Sequence, residues 1–88
     1  MPKKLQLIEE AAVVCGIGPD QLVRFISYSW VLPAEDNPPR LDEEDLARAR
    51  LIHELQAEFG VNDAAVPIIL QLIDQLHRLH HEARIASR

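Results

Sequence analysis

The stretch GIGPDQLVRFI, residues 16–26, decides the fold, because it places a turn and a new helix directly after an apolar helix. Before it, apolar residues recur at helical spacing and predict a first helix over residues 5–15. The two glycines end that helix, and Pro19 suits the first turn of the next one, where its missing N–H costs little. Two short helices joined by a glycine-containing turn are typical of a helix-turn-helix, which we assign to residues 5–32.

The second helix is predicted to be amphipathic. Its inward side, by spacing of three and four residues, consists of Leu22, Phe25, Ile26 and Ser29. Its outward side consists of Asp20, Arg24, Ser27 and Tyr28. At the end of this helix we expect Trp30 to fill the core and Tyr28 to serve an interface, where aromatic side chains supply much of the binding energy. Arg24 and Tyr28 are therefore candidate partner-binding residues.

The middle of the chain is predicted to form a wing and a third helix. Three prolines within seven residues exclude a helix and favour a turn or a short β-ribbon, which forms the wing over residues 33–41. Asp42 precedes an apolar series as an N-cap does, and Gly60 can end the helix that follows. The third helix is therefore predicted over residues 42–60.

A long last helix is predicted over residues 62–86. Its start should be irregular, because Pro67 lies just beyond the first turn. The nearly continuous apolar run over residues 66–73 predicts burial on most sides. Beyond it an a/d stripe of Val66, Ile69, Ile73, Leu76, His80 and Ala83 continues along a helix too long for the remaining chain to cover. We expect a second copy of this helix, packed antiparallel, to cover it, or else an in-domain partner to cover its first half only.

The whole chain of 88 residues supports one modest core, so we expect a single all-α domain over residues 1–88. A lone cysteine cannot form an internal disulfide, and no apolar stretch approaches the length of a membrane span. These features favour a cytoplasmic protein.

The formal charge of −5 is carried by residues 35–45. This segment contains six acidic residues and one cation, Arg40, while the chain on either side of it is balanced. A DNA reader needs cations along the phosphates, since phosphate neutralisation supplies most of its affinity. An acidic wing therefore argues against nucleic acid and favours a basic protein surface as the partner.

The acidic segment supplies the remaining candidate partner-binding residues, which are Asp36, Glu43, Glu44 and Asp45. The last three have an alternative role, because acids in a first helical turn stabilise the helix by about 0.3 to 1 kcal/mol each without any partner. Asp36 in the wing has no such role.

The sequence contains no pattern of catalytic or cofactor-binding residues, so we predict neither an enzyme nor a bound cofactor or metal. His53-Glu54 begins like the zinc motif HExxH, but Ala57 stands in place of the second histidine. His77, His80 and His81 could offer two imidazoles on one face, yet no further ligand completes a site. Cys15 is interpreted as a core residue.

Two segments resemble MerR-type winged-helix proteins: GIGPDQLVRFI matches their helix-turn and second helix, and LDEEDLARARLIHELQAEFG, residues 41–60, matches their third helix. The chain departs from these regulators where they touch DNA. They carry arginine at the positions of Asp20 and Val23, tyrosine at Arg24, an acid at Ile26, and a Gly-Tyr-Arg wing where this chain has Asn37-Pro38-Pro39.

A fuller resemblance, over nearly the whole chain, is to the CbpM family of chaperone-modulatory proteins. It rests on Cys15-Gly16-Ile17, Val31-Leu32-Pro33, His53-Glu54-Leu55 and the apolar rhythm of AVPIILQLIDQLHRL. The resemblance implies a non-enzymatic protein that binds the J-domain of a DnaJ-like co-chaperone such as CbpA and blocks its access to Hsp70. J-domains carry a basic helix, which agrees with the acidic segment. The alternative is a MerR-like transcriptional regulator that reads DNA through Arg24, Ser27 and Tyr28, with Lys3 and Lys4 on phosphate.

Overall fold

A computed structural model describes residues 4–86 as four helices and a two-stranded antiparallel sheet. The elements follow in the order β1 (Gln6–Leu7), α1 (Ile8–Cys15), α2 (Pro19–Ser27), β2 (Arg40–Leu41), α3 (Glu43–Phe59) and α4 (Val66–Ala86). Lys3 and the other residues at 1–3 and 87–88 lie outside the described residues. The predicted architecture, a winged helix-turn-helix followed by a long C-terminal helix, is confirmed.

The first helix begins at Ile8 and not at residue 5. Gln6 and Leu7 are extended and pair with Leu41 and Arg40, so these two residues belong to the sheet and not to the helix. The backbone N–H of Leu7 donates to the Glu10 carboxylate at 3.2 Å, which closes the first turn of α1.

The turn between α1 and α2 forms as the glycines predict. Gly16 adopts the left-handed conformation, with φ of 72°, that non-glycine residues rarely reach. The N–H of Ile17 donates to the carbonyl of Ala12 at 3.0 Å, satisfying a carbonyl at the helix end. Gly18 and Pro19 then begin α2.

The chain turns back towards the core after α2. Ser29 has φ of 61° and lies exposed beyond the helix, so its predicted inward position is wrong. The N–H of Trp30 donates to the carbonyl of Phe25 at 3.0 Å, and the two rings pack with their centroids 5.7 Å apart. Trp30 is buried, as predicted.

The core lies where α1, α2 and α3 meet beneath the sheet. Its fully buried large side chains are Leu22, Phe25, Val31, Leu41, Ile52 and Val66. Cys15 is buried among them, with its thiol 3.5 Å from the carbonyl oxygen of Leu46, and burial raises its pKa. The core interpretation of Cys15 is confirmed.

The last helix begins at Val66, because residues 62–65 form a turn in which the N–H of Ala65 donates to the Asn62 side chain at 2.9 Å. Only Val66 and Leu70 of this helix are buried in the described residues. Ile68 and Leu72 are about 60% exposed, so the predicted burial of residues 66–73 on most sides is wrong. The domain is too small to surround a helix of this length, and it covers one side of its first turns.

Candidate partner-binding surface

The outward face of α2 carries a balanced pair of charges. Asp20 and Arg24 are both exposed, with Val23 between them. The hydroxyl of Ser27 donates to the carbonyl of Arg24 at 2.8 Å, so this hydroxyl is already used within the helix. Arg24 therefore offers the one cation on an α2 surface that has no excess positive charge.

Tyr28 stands at the end of α2 and is half exposed. Its ring packs on Trp30 with centroids 4.9 Å apart, which holds the ring in place from one side. A held aromatic ring with one open face loses little freedom when a partner covers it.

The wing is a hairpin closed between Glu35 and Arg40. Their backbones exchange two hydrogen bonds of 3.2 and 2.9 Å, and the Arg40 guanidinium donates to the Glu35 carboxylate at 3.1 Å. The cation of the acidic segment is thereby paired inside the wing. Asp36 is exposed in the turn.

The start of α3 divides its acids into two groups. Asp42 is buried and accepts a hydrogen bond from the N–H of Asp45 at 2.9 Å. One oxygen of Asp45 accepts in return from the N–H groups of Asp42 and Ala34, both at 3.0 Å, which ties the wing to the helix. Glu43 and Glu44 are exposed and leave the first turn towards solvent.

Burial raises the pKa of Asp45, and the neighbouring Asp42 carboxylate adds to this effect against the backbone hydrogen bonds that lower it. Asp45 therefore joins the wing to the start of α3, a structural role that its position in a first helical turn predicts only in part. Its predicted contact with a partner stays a prediction, as do those of Asp36, Glu43 and Glu44.

A groove of about 650 Å³, which was not predicted from the sequence, lies between α3 and α4. Its apolar lining comes from Leu32, Ala47, Leu51, Leu70 and Ile73. Glu44, Asp45 and Asp74 line it as acids, together with Arg48 and His77. The spacing of Glu44, Ala47, Arg48 and Leu51 on one face of α3 was the available sequence signal.

Arg48 holds the two walls of this groove together. Its Nε donates to the carbonyl of Trp30 at 2.7 Å, and its terminal nitrogens donate to the two carboxylate oxygens of Asp74 at 2.9 and 3.2 Å. These bonds lower the pKa of Asp74. One side chain on α3 therefore joins the end of the helix-turn-helix to α4.

The predicted site residues do not form one cluster. Glu44 and Asp45 line the α3–α4 groove, whereas Tyr28 lines a second, more polar recess on α4 beside Trp30 and Arg78. Arg24, Asp36 and Glu43 are not among the residues that line either one.

Within residues 4–86, no group of three or more histidine, cysteine, aspartate or glutamate side chains is arranged to hold a metal ion. His77, His80 and His81 are all exposed on α4. The described helices also include none with the length and apolar character needed to cross a membrane.

The fold and surface define a winged helix-turn-helix protein with a long C-terminal helix. A family model described as MerR HTH family regulatory protein matches residues 7–88. The chain belongs to this family. Comparison with curated proteins gives no match.

Proposed function

We propose that this chain is a cytoplasmic, non-enzymatic chaperone modulator that binds the J-domain of a DnaJ/CbpA-like co-chaperone and inhibits its action on Hsp70. The observation that carries the proposal is the placement of the negative charge. The helix-turn-helix is intact, but its wing and the start of α3 present acids where a DNA reader presents cations. A basic helix is the complementary surface.

The pairing inside the wing supports this proposal. Arg40 donates to Glu35 at 3.1 Å, so the cation of the wing already has a carboxylate partner. Asp36, Glu43 and Glu44 remain exposed. Charges of one sign on one side attract lysine and arginine side chains and accelerate encounter, most strongly at low salt.

A pair of charge-reversed variants tests the proposal. Glu43→Lys with Glu44→Lys should bind a purified J-domain at least ten-fold more weakly and with a smaller dependence on salt, as measured by calorimetry at several ionic strengths. The matched control is Glu54→Lys with Glu58→Lys, two exposed positions on the same helix with the same change in net charge. Equal loss in both variants would mean that net charge, and not the start of α3, drives binding. Unchanged affinity in both would remove the acidic cluster from the mechanism.

The exposed side of α4 supports a second proposal, that two copies of the chain pair through this helix. Val66, the first residue of the predicted a/d stripe, is buried in the domain core and therefore does not face a second copy. The apolar residues left exposed on one side are Ile68, Leu72, Leu76 and Leu79. Such a stripe is disfavoured in water unless another apolar surface covers it. Light scattering should report a dimer for the free protein and a monomer for Leu76→Glu.

A MerR-like regulator that binds DNA is the alternative function. Membership of the family and the exposed position of Arg24 on α2 favour it. Titration of a labelled mixed-sequence duplex at about 0.15 M salt separates the two functions. The chaperone-modulator proposal expects negligible binding there, and specific binding lost in Arg24→Ala would favour the regulator.

A further inference from the structure

The α3–α4 groove combines an apolar floor with an acidic rim. Leu51, Leu70 and Ile73 form its deeper part, and Leu32 at its edge is 68% exposed. The exposed leucine leaves apolar surface in contact with water. The volume of the groove, about 650 Å³, lies within the range of pockets that bind ligands.

The charge on the rim selects for a cationic occupant. Three acids, one arginine and one histidine line the groove, and Arg48 donates to Asp74 and to the Trp30 carbonyl, so Glu44 and Asp45 carry the excess negative charge. Glu44 is exposed and makes no ion pair within residues 4–86, so it remains available to a cation from outside. An anionic ligand would meet net repulsion here.

The dimensions of the groove suit a helix. Its lining runs from Glu44 to Leu51 on α3 and from Leu70 to His77 on α4, which is seven helical steps in each case. At about 1.5 Å per residue, both walls are roughly 10 Å long. An amphipathic helix places its anchors at i, i+3 or i+4, and i+7 over the same length.

We propose that this groove is the docking site for one amphipathic, basic helix of the partner protein. The helix lays its apolar face on Leu51 and Ile73 and places a lysine or arginine side chain against Glu44. This inference rests on the proposed function and names the surface of this chain that performs it.

The docking face and the proposed dimer stripe lie on different sides of α4. At about 100° per residue, the directions of Leu70 and Ile73 differ from those of Leu72 and Leu79 by roughly 140° on average, whereas Leu76 lies about 60° from Ile73. A helix in the groove therefore leaves Ile68, Leu72 and Leu79 of the outer stripe uncovered. Two copies paired through α4 can each hold one partner, giving a complex of two chains with two partner molecules.

The test uses two alanines on α3 that are both exposed. Ala47 lines the groove and Ala57 does not, so Ala47→Arg blocks it with a long cation while Ala57→Arg makes the same change of charge elsewhere on the same helix. Circular dichroism checks that both variants are folded. A J-domain titrated by calorimetry should bind Ala47→Arg at least ten-fold more weakly than the natural chain, and Ala57→Arg with unchanged affinity.

Equal binding of a J-domain to all three proteins would overturn the docking site and leave the proposed function standing. If no J-domain binds any of them, the proposed function fails, and the groove is then decided with a synthetic peptide. The peptide is a helix of about four turns, with leucine on one face and lysine on the other. It should shift the amide resonances of groove residues such as Leu51 and Ile73 in the natural chain but not in Ala47→Arg. Absence of those shifts would overturn the proposal.

Discussion

Replacing Arg48 by methionine tests how the last helix is fixed to the domain. Methionine keeps an apolar stem but loses the hydrogen bond of 2.7 Å to the Trp30 carbonyl and both bonds to Asp74. The bond from a charged donor to a partly buried carbonyl contributes about 1.5 to 3 kcal/mol. The ion pair contributes less, about 0.5 to 1 kcal/mol, because half of the Asp74 side chain is exposed to water.

We therefore expect Arg48→Met to lower the free energy of unfolding by about 2 to 3 kcal/mol. In a domain of this size that corresponds to a fall in Tm of roughly 10 to 20 °C. Urea titration followed by fluorescence measures the change at one fixed protein concentration, and the chain's single tryptophan, Trp30, accepts the bond under test.

Two further variants separate the contributions. Asp74→Asn removes the ion pair but leaves the bond to Trp30, so it should cost less than about 1 kcal/mol. Arg50→Met, an exposed arginine on the same helix, should change stability by less than about 0.5 kcal/mol. If Arg48→Met costs no more than Asp74→Asn, the bond to the Trp30 carbonyl does not hold the helix and the reasoning is refuted.

Three other perturbations have defined outcomes. Asp45→Ala should lower the free energy of unfolding by about 2 kcal/mol in a urea titration, whereas Asp45→Asn, which keeps an acceptor oxygen, should cost clearly less. Equal costs would contradict the role of this side chain as acceptor of the hydrogen bonds from Asp42 and Ala34. Leu22→Ala should cost about 3 kcal/mol or more, since the side chain is fully buried, and a loss below about 1 kcal/mol in the same assay would contradict that burial. Because Arg48 lowers the pKa of Asp74, this carboxylate stabilises the fold above about pH 4 and the benefit disappears as pH falls through the lowered pKa; thermal unfolding between pH 5 and 2 should show a smaller acid loss in Asp74→Asn, and identical pH profiles would count against the pairing.

Local chemistry determined much of the fold. Gly16 ends α1 in the left-handed conformation, which glycine adopts at little cost without any tertiary contact. Asp42 and Gly60 bound α3 for similarly local reasons, and both ends were predicted from the sequence. The position of the acidic charge is likewise a property of the sequence and does not depend on the fold.

Burial along α4 was decided only by the tertiary structure. An apolar run such as residues 66–73 has the same pattern whether a domain or a second molecule covers it. Of these eight residues, only Val66 and Leu70 are buried in the structure. The sheet likewise displaced the start of α1, because pairing with Arg40 and Leu41 depends on residues more than thirty positions away.

The roles of Asp45 and Arg48 were also decided by the tertiary structure. From the sequence Asp45 was a candidate partner-binding residue in the first turn of α3 and Arg48 carried no prediction, since a charge pattern gives no information on the distant backbone groups it will meet. Folding brings the N–H of Ala34 to Asp45, and the carbonyl of Trp30 to Arg48. The sequence by itself determined where helices begin and end and where charge accumulates, because those depend on neighbours along the chain. Which face of a helix is covered, and which charged side chain already has a hydrogen-bond partner, depend on neighbours in space.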